Sequence, residues 1–305
     1  YGFESISENF EITYNADTPT KPTLHLITLG VSTFKNTDLN LNYAKKDAED
    51  VRKLFEKNIS FGNVKTYSLL DTDATIENLI NLKKSLLLTN SDDMVIFFAA
   101  THGFIDENKD YYLATYDIDP GSPALRGIKY QLIDQLLDSI PAFNKLMLID
   151  ACHSGEVDES IPLFTQPNPE SGVALKTRAI VINSIQNEQT TRGMRNTATA
   201  QEDMYASLTL MKELFNDIRK NNGTIVISAA GAQEYAIETS SFANGVFTYA
   251  LKLALENREA DKNKDGRIRV NELKDYLSTK VQQLTGGKQN PTHRAENYEN
   301  DFIIW

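Results

Sequence analysis

Five short apolar runs, at 24–31, 64–70, 94–100, 145–150 and 224–229, alternate along the chain with helical patterns near 43–57, 75–88 and 130–139. Runs this short and this apolar read as buried strands, and strands separated by helices build a mostly parallel sheet of βαβ units. That rhythm restricts the fold class to α/β. Asp73 or Thr75 supplies an N-cap for the second helix, and Asn58 stops the first. Tyr111–Thr115 reads as one strand of a small hairpin. In an open parallel sheet, ligands gather in the crevice beyond the carboxyl ends of the strands. Residues just past those ends are therefore where chemistry is expected.

The run Met94–Ala100 leads into Thr101, His102 and Gly103, and the run Lys145–Asp150 leads into Ala151, Cys152, His153, Ser154 and Gly155. Cys152 is the only cysteine of the chain. A thiol attacks as thiolate, and an unperturbed cysteine with a pKa of about 8.5 is only slightly ionised near neutrality. It needs a neighbouring base or cation. A lone cysteine is otherwise a small buried hydrophobe, but two strands ending in His102 and Cys152 bring both side chains to one rim, as in a cysteine peptidase. His102 then serves the thiol as ion-pair partner or as general base, and no obligatory third member of the pair is legible. Gly103 and Gly155, without a β-carbon, let the backbone turn sharply and approach a substrate. The N–H groups of Gly103 and Cys152 are the candidate oxyanion donors.

The stretches Phe97-Phe98-Ala99-Ala100-Thr101-His102-Gly103 and Leu148-Ile149-Asp150-Ala151-Cys152-His153-Ser154-Gly155 resemble the caspase-like peptidases, the superfamily of caspases, metacaspases, paracaspases and gingipain-type enzymes. The Cys-His-Ser-Gly form is most similar to metacaspases and bacterial caspase homologues. The resemblance runs from about Leu24 to Trp305. It includes Leu29–Phe34 and Leu39–Leu54, similar to the family's first strand and helix, and Ile225–Glu234, Gly287–Arg294 and Asn300–Phe302. Ala99-Ala100-Thr101 departs from the serine- or glycine-containing stretch that is commoner before the histidine. The resemblance implies a three-layer αβα sandwich with a mostly parallel central sheet, and a peptidase domain over 24–305 that needs no cofactor for its chemistry. It also implies a protein or peptide substrate and an upstream sensor or repeat domain in a longer protein.

Substrate preference follows from carboxylates. Asp150, two residues before Cys152 at the end of its strand, points its charge at the same crevice. In metacaspases and paracaspases the matching aspartate helps bind a basic P1 side chain, and paracaspases add an acidic residue near the position of Glu234. Two such groups favour Arg or Lys and repel an acidic side chain. No counterpart of the arginine-lined pocket of aspartate-specific caspases is found. A basic preference makes Lys176, Arg178, Arg192 and Arg195 candidate self-cleavage sites, with Arg192-Gly193 the most accessible because it lies in a polar tract. These residues fall in the segment 156–222, too long for an ordinary connection and read as a processing or regulatory region with a helix near 203–220.

With 305 residues, 41% of them hydrophobic, the chain can bury a substantial core in one domain. A net charge of −11 argues against a nucleic-acid surface and suits a cationic substrate. No run approaches the apolar length that spans a bilayer, and one cysteine forms no disulfide within the chain, which together favour the cytoplasm. Residues 1–23, polar and bearing Pro19 and Pro22, read as a linker or arm, and Tyr1 in place of Met reads as a processed or trimmed start.

Asp261–Glu272 matches the EF-hand pattern, with Asp261, Asn263, Asp265 and Glu272 at loop positions 1, 3, 5 and 12, Gly266 for the turn and the Arg267 carbonyl as a further ligand. Helical patterns at Phe247–Asn257 and Leu273–Gln283 flank it. Arg269 puts a positive charge at position 9, and no second hand is visible to pair with it. Metacaspases are often calcium-activated, but through a different acidic site that does not map onto this chain. Ca²⁺ in this loop is expected as structural support. His153 is read as part of the turn after Cys152, His25 and His293 have no partner motif, and four scattered histidines with one cysteine give no zinc signature. A catalytically silent interaction module of the same fold is the alternative function, against which an intact Cys–His pair argues. A doubly wound phosphate or nucleotide binder lacks a P-loop or a G-x-G-x-x-G sequence.

Overall fold

The computed structural model describes residues 21–106, 108, 110–151, 175–177, 224–229, 236–294 and 301–305, with backbone alone for Leu175–Thr177 and Arg294. In chain order the elements are β1 (Thr23–Gly30), α1 (Ala44–Glu56), β2 (Asn63–Leu70), α2 (Ile76–Leu86), β3 (Met94–Ala100), β4 (Gly103–Ile105) and β5 (Tyr111–Leu113). There follow α3 (Pro123–Arg126), β6 (Ile128–Lys129), α4 (Tyr130–Asp138), β7 (Asn144–Asp150), β8 (Leu175–Thr177) and β9 (Thr224–Ser228). The last are β10 (Ile237–Thr239), β11 (Asn244–Gly245), α5 (Val246–Glu256), α6 (Val270–Thr285) and β12 (Thr292–Arg294). The strands and helices expected within the described residues are present, the helix expected near 203–220 lies outside them, and Thr75 rather than Asp73 is the N-cap of α2, its side chain accepting the Asn78 N–H.

The main sheet has the order β12-β9-β7-β3-β1-β2. Its strands are parallel except β12, which runs antiparallel along β9. β3 is buried at every position, and β1 and β7 at all but their first, which is why these runs lack polar alternation. β2 lies at the edge and alternates. The step from β1 to β2 and the step from β2 back to β3 run in opposite directions, so right-handed crossovers put α1 and α2 on opposite faces. α5 packs on α1, and α6 on α5. The result is a three-layer α/β sandwich with a mostly parallel central sheet.

α1 buries Ala44, Ala48, Val51, Leu54 and Phe55, a stripe at helical spacing that faces β1, β2 and β3. The helix lies so close to the end of β1 that a β-carbon on Gly30 would stand 2.6 Å from the Ala48 β-carbon and 2.8 Å from the Ala44 carbonyl oxygen. Two three-stranded antiparallel sheets, β4-β5-β6 and β11-β10-β8, complete the described strands. No helix among the described residues is long and apolar enough to cross a membrane.

Candidate active site

β3 and β7 are neighbours in parallel register, with Ala100 opposite Asp150. His102 stands two residues past Ala100, and Cys152 two residues past Asp150. The chain therefore leaves two adjacent strands, about 4.8 Å apart, at one level of the sheet, past Ala100 and past Asp150. Cys152 itself lies outside the described residues, as do Glu234, Arg178, Arg192, Arg195 and His153.

His102 is held from several sides. It is 3% exposed, and its Nε2 lies 2.7 Å from the Leu39 carbonyl oxygen. A carbonyl only accepts, so Nε2 carries the proton and, in the neutral ring, Nδ1 keeps the lone pair. The Phe34 ring packs against the imidazole at 5.3 Å between centroids, and Phe104 lies at 6.4 Å on the other chain segment. The backbone is pinned too: the His102 carbonyl accepts the Ala114 N–H at 2.8 Å, and Thr101 donates its hydroxyl to the Ala114 carbonyl at 3.1 Å. Thr101 thus fastens the turn to the end of β5. Gly103, the candidate oxyanion donor, opens β4 directly after the histidine.

Leu39 and Phe34 belong to the segment between β1 and α1, which is folded by its own polar groups. Asn40 Oδ1 accepts the Phe34 N–H at 2.8 Å, and the Leu41 N–H donates to the Ser32 carbonyl at 2.9 Å. Asp71, at the end of β2, accepts the N–H groups of Ser32 and Thr33 at 2.9 and 3.0 Å and pairs with Lys45 at 2.9 Å. Burial pushes the Asp71 carboxyl up, but these hydrogen bonds and the lysine outweigh it and hold it below the usual carboxylate range. Asp71 takes a left-handed backbone, φ 45°, to reach them.

Asp150 is completely buried, and its Oδ2 accepts the Thr248 hydroxyl at 2.7 Å from the first turn of α5. The candidate P1 carboxylate is thereby tied to a helix contributed from the far end of the chain. Lys176 is in β8, opposite Glu238 of β10, so its backbone is already paired in a strand ladder.

The acidic loop is closed on itself. Asp261 Oδ2 accepts the Gly266 N–H at 3.0 Å, Asn263 Oδ1 the Asp265 N–H at 2.8 Å, and Asp265 Oδ1 the Arg267 N–H at 2.8 Å. Glu272 accepts the N–H groups of Asn263 at 3.4 Å and Arg269 at 3.1 Å. Gly266, at φ 80°, makes the turn as expected. Among the described residues no three His, Cys, Asp or Glu side chains are grouped to hold a metal ion. The loop does have a backbone partner, though not a second hand: the Ile268 N–H donates to the Trp305 carbonyl at 2.8 Å, and the Ile304 N–H to the Ile268 carbonyl at 2.9 Å.

Two further histidines are described. His25 is buried in β1 opposite Val95, five residues before the Ala100 level, beside Asp93 at 3.7 Å and Tyr67. Burial lowers its pKa despite the aspartate. His293 is in β12.

Against known proteins, the family described as the caspase domain matches residues 25–303. No curated protein matches. Among solved structures, the protein GSU0716 from Geobacter sulfurreducens superposes with a TM-score of 0.58 at 16% identity, over 89% of this chain and 92% of that one. At that identity the likeness is one of fold.

Proposed function

Because this chain belongs to the caspase-domain family, we propose that it is a cysteine endopeptidase in which Cys152 and His102 form the reacting pair and a basic P1 residue is preferred. The observation that supports the reading is the His102 ring, kept as the Nε2–H tautomer by its bond to Leu39 and set two residues past Ala100, which the register of β3 and β7 puts opposite Asp150. In this reading Nδ1 takes the thiol proton. The Sγ of Cys152 then bonds to the scissile carbonyl carbon while the N–H groups of Gly103 and Cys152 hold the oxyanion. The C–N bond breaks as the proton passes from Nδ1 to the leaving amine. Water hydrolyses the thioester, with the proton returning to sulfur through the same nitrogen. No cofactor enters these steps.

The P1 reading rests on Asp150, with Glu234 as its second carboxylate. A guanidinium or ammonium group reaching Asp150 would form a charge-assisted bond in a site that excludes water. Hydrolysis of matched peptides bearing Arg, Lys or Asp at P1, by wild type and Cys152→Ala, tests both parts. Cleavage after Arg or Lys that vanishes in Cys152→Ala supports the mechanism and the pocket. Efficient turnover after Asp sinks the pocket, and a wild type inert to peptides and to thiol-reactive peptide probes leaves the silent interaction module in its place.

Self-processing is part of the proposal at Lys176, Arg178, Arg192 or Arg195. Cleavage at Lys176 requires β8 to leave β10. Equal intact masses for wild type and Cys152→Ala after incubation would exclude all four. Calcium in the Asp261–Glu272 loop rests on the sequence pattern. Melting temperatures in chelator and in millimolar Ca²⁺ decide it, and equal values leave the loop as a hydrogen-bonded turn.

A further inference from the structure

Glu238 is a buried carboxylate that the chemistry above does not use. It lies at the centre of β10, 1% exposed, with Oε1 accepting the Asn42 N–H at 2.8 Å and Oε2 the Tyr43 N–H at 3.2 Å. These amides lead into α1, whose N-cap Tyr43 makes no side-chain cap bond. A strand 195 residues further along the chain therefore supplies the acceptor that the N-cap side chain does not.

A helix cap would need nothing more, but the gripped amides lie on a short path to the reaction centre. Leu39, three residues before Asn42, presents the carbonyl that holds His102 Nε2. Between them, Leu41 is bonded to Ser32, and Asn40 to Phe34, whose ring lies against the imidazole. The stretch from Leu39 to Tyr43 is thus suspended between the catalytic histidine at one end and Glu238 at the other. We propose that Glu238 is a positioning residue, which sets the Leu39 carbonyl and through it the tautomer and rotation of His102. The inference rests on the reading of Cys152 and His102 as the reacting pair.

The test is imidazole ¹⁵N NMR in the Cys152→Ala background, with His102 assigned by its loss in His102→Gln, alongside kinetics of the same Glu238 variants with Cys152 intact. Wild type should show His102 as a single Nε2–H tautomer. Glu238→Ala should give a mixed tautomer, and Glu238→Gln, which keeps one acceptor oxygen, an intermediate one. The corresponding kcat should fall about 10–100-fold in the alanine variant and less in glutamine, with KM nearly unchanged, as for a displaced reacting group. His102 signals unchanged in the variants, whatever happens to their melting temperature, would reduce Glu238 to a cap and overturn the proposal. Should the alanine variant fail to fold, the glutamine variant decides in the same way. If wild type shows no cysteine-dependent turnover while the His102 signals still respond to Glu238, the peptidase reading fails and the positioning role stands.

Discussion

Asp150 and Thr248 form a hydrogen bond with no access to water, and that bond separates two functions of one carboxylate. Asp150→Asn keeps an amide oxygen to accept the Thr248 hydroxyl, so the fold should survive, while the charge offered to a basic P1 side chain is lost. The expected outcome is a drop of about tenfold or more in kcat/KM for Arg- and Lys-P1 peptides, the scale of a charged hydrogen bond. An unchanged ratio of basic to neutral P1 turnover would remove Asp150 from the pocket. Asp50 makes a different prediction. Burial pushes its carboxyl up, but hydrogen bonds from Lys46, Asn244 and Lys252 outweigh this and hold its pKa at about 2. Its folded value lies below its unfolded value, so its contribution is complete above the unfolded carboxylate range and is lost as pH falls towards 2. Asp50→Asn should cost on the order of 1–2 kcal/mol at neutral pH and nearly nothing near pH 2. Urea melts at the two pH values check this, and an equal loss at both would refute it.

Gly30 shows how closely an element can be set by one missing atom. A β-carbon there meets Ala48 and the Ala44 carbonyl at under 3 Å, so Gly30→Ala must push α1 off β1. A loss of about 1–3 kcal/mol is expected from such overpacking, read as a lowered denaturant midpoint with an unchanged slope. The helix itself was legible, because Ala44, Ala48, Val51 and Phe55 repeat at helical spacing, and β3 was legible as an unbroken apolar run. His102 and Asp150 were legible for the same reason, since each follows or ends a strand whose limits the apolar run fixes. The Leu39 carbonyl was not, because every residue type offers one and only the fold aims it. Glu238, Asp47 and Thr248 were missed on another ground. Asp47 accepts the Asn244 side chain at 2.7 Å and the Gly245 N–H at 3.0 Å, 197 and 198 residues away. No local pattern announces a partner at that distance, and Glu234, the acidic residue singled out near β10, lies outside the described residues.

At the scale of the molecule, the last five residues fasten the end of the chain to its first helix. Ile304 and Trp305 pair with Ile268, the Val270 N–H donates to the Phe302 carbonyl at 3.1 Å, and Asn271 and Arg269 both bond Asp301. On the other side, Asn58 donates from a buried position to the Ile304 carbonyl at 3.0 Å, and Trp305 packs edge-on against Phe55 at 5.8 Å. The tail therefore bridges the α5–α6 loop and the carboxyl end of α1, and Ile304 is fully buried between them. Removing residues 301–305 exposes Ile268 and strips a buried amide, Asn58, of its acceptor, so a loss of about 3–5 kcal/mol is expected from apolar burial and hydrogen bonding together. In a domain of this size that is a fall of roughly 6–15 °C in melting temperature. The rim bearing His102 is built from other elements, so the truncated protein, assayed well below its new midpoint, should keep KM within about twofold for the best peptide substrate. A truncated chain that melts with wild type would show that Ile268 finds an equal partner elsewhere. A raised KM at full foldedness would show that the tail reaches the site through α1, whose opposite end Glu238 holds.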